Sequence, residues 1–229
     1  MFFSILSCGQ NKKDKAFKLF NEGVTLNLKS IDEQEKGNYE KAIEFNKLSI
    51  EKFKETLKED STNSAVRGAL GHSLYIDKQF KEAIFWFEES NKKDGKQVQN
   101  IRELGLCMVN LGQTKLGKEY IDKAFSMDES KEIRDITLLD LTDIGTLAFD
   151  YGEGYTKEGD EKKGKEYKMF SVGVLMLVYE YDNSKKDIAL KISEIANKIG
   201  DKETSLKYKQ FAEKWTTANM RLAQVGLLY

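Results

Sequence analysis

The residues able to do chemistry are few and badly placed to do it together. His72 is the single histidine in 229 residues, so neither a histidine-based triad nor a two-histidine metal pair can be assembled. The two cysteines, Cys8 and Cys107, are far apart and lack CxxC spacing, which provides no zinc site and no redox motif. Cys107, between Leu106 and Met108, reads as a small apolar core residue. Gly152-Glu153-Gly154 looks like a fragment of a phosphate loop. Without a preceding strand or the full glycine pattern, it reads instead as a helix-to-helix turn within a loop at 151–159. Phe85-Trp86-Phe87 reads as core rather than as a stacking platform. No catalytic residue, metal ligand or cofactor site is expected.

What must position these residues is helical. Apolar side chains recur at helical spacing along most of the chain, as in Ala16, Phe17, Phe20, Val24 and Leu28. A polar insertion at 30–38 separates these from a second helix carrying Tyr39, Ala42, Ile43 and Phe53. Proline is absent and the net charge is -1. Helices joined by Gly, Asn and Asp turns need no proline, and interspersed charges of both signs offer no footprint for nucleic acid. No run of 18 apolar residues occurs, so no segment is long and apolar enough to span a bilayer.

Sliding the chain against itself by 34 residues places Leu70-Gly71 on Leu104-Gly105, Leu74 on Met108, Ala83 on Gly117 and Phe87 on Ile121. Size is kept where identity is not, as packing would require. These residues resemble the tetratricopeptide repeat (TPR) family. Segment 64–97 supplies Leu70, Gly71, Leu74, Phe80, Ala83, Phe87 and Ser90, and 98–131 supplies Ile101, Leu104, Gly105, Met108, Gly117, Ile121 and Ala124. Phe20-Asn21-Glu22-Gly23 with Tyr39-Glu40-Lys41-Ala42-Ile43 matches a first unit in halves. Leu141, Ile144-Gly145 and Ala148 open a fourth, and Ile188, Ile192-Ser193 and Ala196 a fifth. The family's proline after the second helix is missing throughout. The resemblance implies an all-α, right-handed solenoid of antiparallel helix pairs, about five units over 15–218, with a capping helix at 219–229.

The family's function lies in a groove lined by first helices. Carried over residue by residue, that groove would hold His72, Tyr75 and Ile76, then Arg102, Leu106, Val109 and Asn110, then Thr146, Phe149 and Asp150. Such a mixture suits an extended peptide or a partner's helix. The expected function is therefore a non-enzymatic scaffold for a protein or peptide partner.

Ile5-Leu6-Ser7-Cys8 resembles a bacterial lipobox. On that reading, 1–7 is the remnant of a lipoprotein signal peptide, 8–14 a polar tether, and a lipid on Cys8 the one membrane attachment. The basic n-region and about half of a 7–15-residue h-region are missing, so the true start is expected upstream of Met1. The protein would then be a lipid-anchored adaptor of the bacterial cell envelope. The alternative is a cytoplasmic regulatory or co-chaperone-like TPR protein with Met1 its true start and Cys8 an ordinary thiol.

Overall fold

The computed structural model describes the backbone of residues 3–226 and the side chains of residues 11–214. Those residues form helices in two compact units, 1–128 and 129–229. The first unit holds α1 (Phe3–Glu35), α2 (Tyr39–Glu59), α3 (Ser64–Ile76), α4 (Phe80–Lys93), α5 (Val98–Asn110) and α6 (Thr114–Met127). The second holds α7 (Lys131–Lys157), α8 (Glu161–Tyr181), α9 (Lys186–Lys198) and α10 (Lys202–Gly226). Consecutive helices pair as antiparallel hairpins, α1 with α2 through α9 with α10. Within the first unit the hairpins stack, α2 against α3 and α4 against α5; in the second, α8 packs against α9.

The same features recur in all five hairpins. Each first helix ends on a residue with positive φ: Gly37, Lys78, Gly112, Gly159 and Gly200. The backbone N–H of the next residue then donates back across the turn, as in Gln113 N–H to the Met108 carbonyl at 2.9 Å and Asp201 N–H to Ala196 at 2.9 Å. This left-handed closure satisfies carbonyls that the helix end would leave orphaned. Glycine takes it at no steric cost at four of the five turns, whereas Lys78 (φ 59°) carries a Cβ into it.

Seven residues before each left-handed residue stands a small one, and a second small residue follows it by five. The pairs are Ser30 and Ala42, Gly71 and Ala83, Gly105 and Gly117, Gly152 and Gly164, and Ser193 and Ser205. Here the two helices of a hairpin cross. A Cβ on Gly105 would lie 2.8 Å from the Gly117 carbonyl oxygen, and one on Gly152 would lie 2.9 Å from that of Gly164. At the two serine crossings the hydroxyl donates across the gap instead, Ser30 Oγ to Ala42 O at 2.7 Å and Ser193 Oγ to Ser205 O at 2.8 Å. Around the middle hairpins Leu70, Leu74, Phe87, Leu104 and Cys107 form one core with Phe53 and Val66.

Several expectations need correction. The insertion at 30–38 does not loop out; it lengthens α1 as far as Glu35. Gly152 and Gly154 are no turn, because α7 runs through both to Lys157, and the turn falls at Gly159. The register of the first and fourth units is two helical turns later than expected, at Ser30 and Gly152 rather than Gly23 and Gly145. Gly23 and Gly145 do face the partner helix. A Cβ on Gly23 would sit 2.6 Å from Phe53, and one on Gly145 would sit 2.9 Å from Leu175. These are second contacts, made because both hairpins extend beyond the crossing. Segment 8–14 lies within α1, and α10 runs unbroken across residue 218. The side chains of Cys8, Trp215 and 219–229 lie outside the described residues.

Candidate functional site

The expected groove residues divide by burial. His72, Tyr75 and Ile76 fall on one face of the last turns of α3. Ile76 is 41% exposed, and the His72 side chain keeps 34% of its surface accessible. Tyr75 is half-buried, its ring 6.0 Å from that of Phe80. Asn110 is half-buried at the end of α5, which packs beside α3, and its Nδ2 donates to the Leu106 carbonyl at 2.9 Å.

Arg102, Leu106 and Val109 are not groove surface. Helix α5 is buried at every residue from Asn100 to Val109, and Val109 would lie 2.6 Å from a Cβ on Gly117. The missing side chain at Gly117 lets α6 close over α5 and take Val109 into the core. On α7, Phe149 is half-buried with the Lys198 ammonium 4.8 Å from its ring centroid, and Asp150 is exposed. Thr146 accepts a hydrogen bond from Lys191 Nζ at 2.9 Å.

One participant was not anticipated. Glu103 is 1% exposed, and its carboxylate collects three partners. His72 Nδ1 lies 2.9 and 3.0 Å from its two oxygens, Gln99 Nε2 donates at 3.2 Å, and Arg102 approaches to 3.4 Å. A buried carboxylate requires such company. It orients the imidazole, whose side chain stays partly accessible. The available signal was a lone acidic residue directly before the apolar run from Leu104 to Val109.

Other buried polar groups are structural. Arg67 NH1 holds Asp94 at 2.9 and 3.1 Å and the Asn63 carbonyl at 3.3 Å, and NH2 donates to the Ser61 carbonyl. This ties the start of α3 to the end of α4. Lys168, 7% exposed, reaches Glu153 at 2.7 Å and Thr156 at 3.0 Å beside the Gly152–Gly164 crossing. That hydrogen bond draws the Glu153 carboxyl below its ordinary range. Burial, helped by the charge of Glu103, pushes the Cys107 thiol up to about 12, which removes it as a nucleophile at neutral pH. Among the described residues, no group of three or more His, Cys, Asp or Glu is placed to hold a metal ion, and no helix is long and apolar enough to cross a membrane.

Paired helices with small residues at each crossing and a left-handed residue at each turn define an all-α fold of repeated helical hairpins, similar to that of tetratricopeptide repeats. No protein-family model and no curated protein matches the sequence. Solved structures do show similarity. A crystal structure of MamA is 14% identical and covers 88% of this chain and 96% of its own, with a TM-score of 0.44. The crystal structure of YrrB, described as a TPR protein with an unusual peptide-binding site, is 18% identical. It covers 93% of this chain and 97% of its own, with a TM-score of 0.40.

Proposed function

We propose that the protein is a non-enzymatic scaffold holding a peptide or protein partner against the end of α3 and the neighbouring end of α5. The observation that carries this reading is the accessible set His72, Tyr75 and Ile76 on one helix face, on a rigid core. Tyr75 offers flat area at low entropic cost, Ile76 an apolar contact, and His72 a ring edge oriented by Glu103. Asn110 spends a donor on Leu106 and keeps its amide oxygen to accept from a partner's backbone. Peptides selected from a displayed library on the wild-type chain should lose binding at least about tenfold to the variant His72→Ala/Tyr75→Ala/Ile76→Ser. Equal affinity for the variant would place the site elsewhere.

The second part of the proposal is attachment of this scaffold to the bacterial cell envelope through a lipid on Cys8. Its support is the order Ile5-Leu6-Ser7-Cys8, apolar residues and then a small residue directly before the cysteine. Several acyl chains on one cysteine hold a soluble domain firmly where a single chain does not. In the native cell the chain should take up labelled fatty acid and partition into detergent, and Cys8→Ser should do neither. Wild-type chain recovered in the cytosol with Met1 intact would refute the anchor and leave the α3 reading standing.

A further inference from the structure

Helix α1 buries Ala16, Leu19, Gly23 and Ser30 against its hairpin partner and leaves its opposite side open. On that side Phe17 is 64% and Leu28 61% exposed. The shallow surface along it carries Lys18, Asn21, Glu22 and Lys29. The charges on this face alternate along the helix: Asp14, Lys18, Glu22, Lys29, all exposed. They sum to zero, so a purely anionic or purely cationic surface would meet as much repulsion as attraction.

One partner meets the outermost of these charges with their opposites at both ends, and it is the same helix reversed. Set antiparallel about a two-fold axis midway between Asn21 and Glu22, α1 places Asp14 over Lys29 of a second copy at each end. Lys18 comes within a turn of the second copy's Glu22, and Phe17 comes within a turn of its Leu28. The stretch from 14 to 29 is roughly 22 Å long at 1.5 Å per residue. Glu22 already meets Lys52 of its own chain at 2.9 Å and keeps 55% of its side-chain surface free for a second cation. A self-complementary patch of this kind is what a closed two-fold interface needs. We propose that the open face of α1 is the interface of a homodimer, two copies pairing α1 against α1 in antiparallel register.

Sedimentation equilibrium of the full chain under reducing conditions tests this. Between about 1 and about 200 µM, the apparent mass should rise from 26.3 kDa toward twice that value, less steeply as salt is added. Asp14→Lys alone and Lys29→Asp alone should each weaken self-association at least about tenfold, because each sets like charges together at both ends. An equimolar mixture of the two variants should dimerise again, since every Lys then faces an Asp, and the double variant Asp14→Lys/Lys29→Asp should dimerise by itself. These positions are exposed, so unchanged melting of each variant separates lost pairing from lost folding. Wild-type chain still monomeric at about 200 µM would overturn the proposal. So would dimers that ignore both charge reversals, or an α1 face that takes up phosphatidylglycerol vesicles or another protein and not its own copy.

Discussion

Gly105 and Gly117 meet backbone to backbone: a Cβ built on the first would lie 2.8 Å from the carbonyl oxygen of the second. That oxygen is backbone and cannot swing away as a side chain could, and the Ile121 side chain crowds the same Cβ at 2.9 Å. The helices α5 and α6 must separate if either glycine gains a methyl group, and the seating of Val109 beneath Gly117 goes with them.

Gly105→Ala should therefore cost about 1–3 kcal/mol by overpacking, despite the better helix propensity of alanine. The control is Gly173, mid-helix in α8 with nothing within 4 Å of its would-be Cβ. There Gly173→Ala should stabilise by up to about 1 kcal/mol. Chemical denaturation of both variants checks the pair. A Gly105→Ala protein as stable as wild type would show that the crossing is looser than described.

Lys78 holds the left-handed turn that glycine holds in the other four hairpins, at φ 59°. Lys78→Gly removes the Cβ strain, worth roughly 1–2 kcal/mol, and returns part of that through the greater freedom of the unfolded chain. The expected net is a gain of about 0.5–1 kcal/mol, read as a higher denaturation midpoint with an unchanged slope.

Glu153 should make stability depend on pH in one direction. Its hydrogen bond from Lys168 holds the folded-state carboxyl below the ordinary value of 4.5. The stabilisation is then complete above that value and is lost as pH falls through the lowered one. Glu153→Gln should be less stable than wild type at pH 7, and the difference should shrink below about pH 4. A gap constant down to about pH 3 would mean that the Lys168 contact contributes nothing through charge.

Cys107 should resist alkylation in the folded protein, since burial and a thiol pushed to about 12 leave almost no thiolate at neutral pH. In a Cys8→Ser background, labelling should proceed only as fast as the chain unfolds. Rapid labelling under native conditions would contradict the burial of α5.

The sequence by itself determined the class and the middle of this protein. Thirty-four-residue spacing between Leu70-Gly71 and Leu104-Gly105 is a local signal, because both units keep their helices to the length that the spacing assumes. It also marked His72, Tyr75 and Ile76, whose shared face follows from helical periodicity alone. What only the tertiary structure decided lies where two answers share one periodicity. Gly23 and Ser30, like Gly145 and Gly152, stand seven residues apart on one helix face, so either could mark the crossing. The choice is made by the partner helix, which brings Ala42 and Gly164 to the later residue and Phe53 and Leu175 to the earlier one. Gly152-Glu153-Gly154 read as a turn because helix propensity disfavours glycine there by about 1 kcal/mol each; close packing against Gly164 and Lys168 outweighs it at Gly152. Arg102 and Val109 share the periodicity of exposed groove residues, yet they are buried. Burial is a property of what lies opposite a side chain, and a helix's own sequence does not contain its neighbour.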